Sequence, residues 1–63
     1  MRASRSRRYR AGVEYYRALT EDLPEAWWLY HNIGTLSNRL GDTEEAERAL
    51  AEAERLKELN PTG

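Results

Sequence analysis

Apolar positions recur along this chain at helical spacing in three successive stretches. In the first, Tyr9, Gly12, Val13, Tyr16, Leu19 and Leu23 follow the i, i+3, i+4, i+7 rule of an amphipathic helix, which predicts a helix over about residues 5–21. In the second, Leu29, Ile33, Leu36 and Leu40 share one stripe with Tyr30 and Ser37 at its border, while Trp28, Asn32, Thr35 and Arg39 lie opposite, flanked by His31 and Asn38; this predicts a helix over about 24–40. In the third, Ala46, Ala49, Leu50, Ala53 and Leu56 turn inward over about 43–59. Short connections between such helices make neighbours antiparallel. The expected fold is therefore all-α, a single domain over 5–63 preceded by a frayed basic arm at 1–4.

Punctuation residues support these boundaries. Pro24 disfavours helical geometry in the residue before it and suits a first helical turn, so Asp22-Leu23-Pro24 should close one helix and open the next. Gly41 suits the left-handed stop of the second helix. Asp42 can cap the third, with Glu45 placed to reach back in capping-box fashion. Asn60-Pro61-Thr62-Gly63 should end it. On the outer face, Glu44 with Arg48 and Arg48 with Glu52 have the spacing of helical ion pairs. Gly12, a poor helix former on an apolar stripe, implies a neighbour that needs the room.

The chain also repeats itself. Aligned at an offset of 34, the first and third helices match Tyr9 with Thr43, Gly12 with Ala46, Tyr16 with Leu50 and Leu19 with Ala53. The second and third supply Tyr30-x-x-Ile33-Gly34-x-x-Ser37, then Ala46-x-x-x-Leu50, Ala53 and Pro61, around the turn Leu40-Gly41-Asp42. This pattern resembles the tetratricopeptide repeat family, about one and a half repeats, comprising a helical hairpin and one preceding helix. Gly34 lacks a side chain where the paired helix must approach, and Ala46 offers a small surface from the other side. Ser37 stands where the family usually carries an aromatic, and Glu58 where it carries proline.

In proteins of that kind, the first helix of each repeat lines a concave surface for an extended peptide. Matched residue by residue, the resemblance implies Trp28, His31, Asn32, Thr35, Asn38 and Arg39 as a surface for a protein or peptide. Asn both donates and accepts hydrogen bonds, and Trp and Arg are frequent binding hot spots. The plainer alternative for the same residues is a solvated face. A domain of 63 residues buries only about 60% of its unfolded surface, so assembly into a homodimer or larger is a competing expectation. Val13, Tyr15, Tyr16, Leu56 and Leu59 are the candidates for that contact. An engineered or excerpted helical unit with no ligand of its own is a further possibility.

Charge adds one feature. The formal net charge is only −1, yet residues 1–10 carry five arginines and no acid, while Asp42 onward carries seven acids against three bases. Arg5, Arg7, Arg8 and Arg10 make a phosphate-binding arm conceivable, with weak salt-sensitive attraction expected rather than specific nucleic-acid binding. His31, the single histidine, finds no second metal ligand at i+3 or i+4, where Gly34 and Thr35 stand. There is no cysteine, and Ser4, Ser6 and Ser37 have no plausible histidine arrangement. The expectation is a non-enzymatic interaction protein without cofactor, cytoplasmic and without a membrane segment.

Overall fold

The computed structural model describes residues 2–59, with side chains from Arg7 onward. It contains three α-helices, α1 (Arg2–Asp22), α2 (Trp27–Leu40) and α3 (Thr43–Leu59), and no strand among the described residues. Consecutive helices are antiparallel neighbours, with α2 packed against both α1 and α3. The expected helix end at Asn60-Pro61-Thr62-Gly63 and the side chain of Arg5 lie outside the described residues.

Helix α1 starts at Arg2, not at about residue 5. Arginine and alanine are good helix formers and no glycine or proline interrupts residues 2–11, so the polar stretch continues the helix that the apolar stripe begins. At the other end, the Leu23 N–H still donates to the Leu19 carbonyl at 2.9 Å. The chain then turns through Pro24 and Glu25, closed by the Ala26 N–H donating to the Leu23 carbonyl at 3.2 Å. Proline thus occupies the second position of a four-residue turn, where its fixed φ is favoured, and α2 begins three residues later than expected. Ala26 precedes it in extended geometry, with no side chain capping the helix.

The turn between α2 and α3 follows the sequence closely. Gly41 is left-handed at φ 86°, its N–H donates to Asn38 O at 3.1 Å, and the Asp42 N–H donates to Ser37 O at 2.9 Å. This pair of bonds is the Schellman closure, which satisfies carbonyls that the helix leaves open. Asp42 Oδ1 accepts from the Glu45 N–H at 3.3 Å and so caps α3. The reciprocal half of the capping box is absent. Glu45 instead takes the Arg17 guanidinium of α1, and the Asp42 N–H is already engaged.

The core runs through all three helices. Val13 of α1, Ile33 of α2 and Ala49 of α3 form a buried cluster, with Tyr16, Leu36 and Leu40 packed on it. Leu29 is completely buried, an environment worth about 1.5–3 kcal/mol for such a side chain. Two glycines stand where the helices approach most closely. A Cβ on Gly12 would stand 2.8 Å from Leu36 Cδ1, and one on Gly34 would stand 2.6 Å from Leu50 Cγ and 3.3 Å from the Ala46 carbonyl oxygen. Each helix pair therefore closes where one member has no side chain, and the expected nesting of Gly34 with Ala46 is what the geometry contains. Ser37 is buried in this tight region.

The stack measures 42 × 22 × 14 Å, a flat and elongated body. Its length comes from α1. At about 1.5 Å per residue, the 21 residues of α1 outreach the 14 of α2 by roughly 10 Å. The shared turn lies at the C-terminal end of α1, so its first two turns project beyond the packed core.

Candidate functional site

The outer side of α2 lies opposite its buried residues Leu29, Ile33 and Ser37, and it gathers the six residues assigned to partner binding. Trp28 is 46% exposed. His31, Thr35, Asn38 and Arg39 are exposed as well, and Asn32 is half-buried. They form one strip because positions three, four and seven apart share a helix face. Thr35 Oγ1 donates to the His31 carbonyl at 3.1 Å, so its hydroxyl keeps only acceptor capacity for a partner.

Trp27 completes this region and was not singled out by the sequence reading. It is half-buried, meets the His31 ring edge-on at a centroid distance of 6.3 Å, and lies 4.8 Å from Lys57 Nζ of α3. The ammonium over the indole is a cation–π contact, worth about 0.5–1 kcal/mol at an exposed site. It ties the start of α2 to the end of α3 and limits where the His31 ring can sit. Its spacing from Tyr30 and Gly34 placed it on the α3-facing side of the helix. The identity of its cation was not legible, because Lys57 is 30 positions away in the chain.

The surface assigned to self-association is divided by the structure. Val13 and Leu56 lie in the core, only 7% and 4% exposed, and Tyr16 is half-buried against it. They are inside because α2 covers the apolar stripes of both flanking helices at once. Tyr15 and Leu59 remain outside, each 63% exposed, and Tyr15 stacks edge-on with Tyr16.

On the opposite side of the stack, a groove of about 310 Å³ opens between α1 and α3 over Tyr30 and Ile33. Arg17 and Thr20 form one wall, Arg48 and Glu52 the other, and the Arg17–Glu45 ion pair spans it. The ion pairs differ from those the spacing predicted: Glu52 pairs with Arg55, Nε to Oε1 at 3.1 Å, and neither Glu44 nor Glu52 pairs with Arg48. The Arg55 side-chain hydrogen bond holds the Glu52 carboxyl below the usual carboxylate range. Among the described residues no cluster of histidine, cysteine or acidic side chains could hold a metal ion, and no helix is long and apolar enough to cross a membrane.

Fold and surface together define an all-α three-helix protein whose middle helix carries an exposed mixed aromatic and polar strip. No family model, curated protein or solved structure matches the chain.

Proposed function

We propose that this chain is a small interaction scaffold of the tetratricopeptide kind, without catalytic chemistry, which binds an extended peptide or another protein along the outer strip of α2. The observation that carries the reading is Trp28: a large indole left 46% exposed at the N-terminal end of a strip that offers amide and guanidinium donors at Asn32, Asn38 and Arg39. Such an indole provides contact area at low entropic cost, and the surrounding donors suit the alternating donors and acceptors of an extended backbone. A strip one helix long implies weak binding, because affinity accumulates over several stacked units.

The test is a peptide-library titration followed by tryptophan fluorescence. Trp28→Ala combined with Asn32→Ala should abolish the response to any binding peptide, with Trp27 retained as an internal probe and helicity unchanged by circular dichroism. Peptide binding that survives this double substitution would move the site away from α2.

A further inference from the structure

A second surface pairs two features on opposite parts of the molecule. The first is the projecting start of α1. Arg7 and Arg8 there, and Arg10 one turn further on, are exposed, and no ion pair joins any of them to α3 of the same chain among the described residues. The second is the solvent side of α3. Its buried residues Ala46, Ala49, Ala53 and Leu56 define one face, and directly opposite run Glu44, Glu47, Ala51, Glu54 and Glu58, all exposed. These are spaced by three and four residues, so they form a continuous acidic stripe about 21 Å long. Leu50, 37% exposed, borders it on one side, and the exposed Arg48 and Arg55, the latter paired with Glu52, border it on the other.

The two surfaces cannot meet within one chain. The stripe points away from α2, and α1 packs on another side of α2, so among the described residues the α1–α3 ion pair is Arg17–Glu45 on the groove side. We propose that they meet between two copies: the arginine-rich projection of one chain lies along the acidic α3 stripe of another, reciprocally, in a two-fold dimer. A two-fold contact requires each copy to present both halves of the match, and this chain does so, with a basic first ten residues and an acidic α3 inside a net charge of −1. Docking gives the projecting turns a surface to lie on, which isolated helical turns lack in water. The surfaces are separate from the α2 strip, so this inference does not depend on the reading above.

Exposed charge pairs are individually weak and screened by salt, which sets the form of the test. Sedimentation equilibrium of the full chain at low ionic strength should show a monomer–dimer equilibrium, shifted toward monomer by at least about tenfold in dissociation constant on raising salt to several hundred millimolar. Arg7→Glu/Arg8→Glu/Arg10→Glu should be monomeric, and so should Glu47→Lys/Glu54→Lys/Glu58→Lys. Both sets alter exposed positions outside the core, and Glu58→Lys in the last turn of α3 suits the helix dipole, so helicity should hold, which circular dichroism checks. Mixing the two variants should restore association as a heterodimer, since one copy is then acidic and the other basic throughout: basic α1 of the second variant lies on acidic α3 of the first, and the acidic α1 of the first lies on the basic α3 of the second. Trp28→Ala should leave all of this unchanged. A wild type that stays monomeric at low salt overturns the proposal, as does a dimer that either charge-reversal set leaves intact, or a projection that associates only with an added polyanion such as heparin.

Discussion

Replacing Gly34 by alanine sets two opposing effects against each other at one atom. In an unpacked helix the substitution favours folding by about 1 kcal/mol, because glycine loses more backbone freedom. In this fold the added carbon would stand 2.6 and 2.7 Å from Leu50 Cγ and Cδ2, and 3.3 Å from the Ala46 carbonyl oxygen. Carbon atoms pack comfortably at about 3.5–4.0 Å, so the overlap approaches 1 Å, and overpacking of that kind costs about 1–3 kcal/mol. Leu50 is 37% exposed and can swing outward, but the Ala46 carbonyl belongs to the α3 backbone and moves only with the helix. The expected net loss is about 1 kcal/mol, or a fall of about 4–8 °C in Tm for a domain of this size. Thermal and urea unfolding followed by circular dichroism measure it. Leu50→Ala removes the two closest atoms, so in that background Gly34→Ala should become neutral or stabilising, with a coupling of about 1–2 kcal/mol between the sites. Gly12→Ala is the contrast: only Leu36 Cδ1 stands close, at 2.8 Å, and it is the free end of a side chain, so the change should be near neutral. Additive behaviour of Gly34→Ala and Leu50→Ala would refute the claim that this approach sets the α2–α3 spacing.

Two further outcomes follow from the turn and the ion pairs. Gly41→Ala meets no neighbouring atom yet must hold φ near 86°, so it should cost about 1–2 kcal/mol through backbone strain alone, and Gly41→Asn should cost less; equal losses in urea unfolding would contradict this. Because hydrogen bonding to Arg55 lowers the Glu52 pKa in the folded state, the pair's contribution is fully present above the unfolded glutamate value of about 4.3 and is lost as pH falls through the lower folded value. Wild type and Glu52→Gln should therefore differ in urea midpoint at neutral pH and converge on acidification. A gap that widens in acid has the wrong sign for this pair.

The helical content, the α2–α3 turn and four inward residues of α3, Ala46, Ala49, Ala53 and Leu56, were legible because they depend on local chemistry, whereas Leu50, expected inward, is 37% exposed beside Gly34. Gly41 stops α2 for want of a Cβ, Asp42 caps α3 with its own carboxylate, and the period of the apolar residues assigns each helix its buried side. Where local signals competed, the sequence reading went astray. Pro24 suits both a first helical turn and the second position of a tight turn, and the Ala26–Leu23 hydrogen bond selects the latter. Arg48 had correctly spaced acids in Glu44 and Glu52, but Glu52 pairs with Arg55 instead, and Glu45, expected to reach back to the cap, pairs with Arg17. Exposed ion pairs differ by so little energy that spacing alone does not choose among them.

By itself, then, the amino-acid order determined three helices, their approximate limits and the small residues through which they approach, since capping, backbone freedom and periodicity act within a few residues of where they are written. Only the packed arrangement decided that Val13 and Leu56, on inward stripes, are covered within the one chain rather than left for a second copy, that Trp27 lies beneath Lys57, and that the first turns of α1 project past the body while the α3 glutamates face away from it. These depend on which helix lies in the middle and on relative helix lengths, and burial is a property of the neighbours a residue acquires from distant parts of the chain.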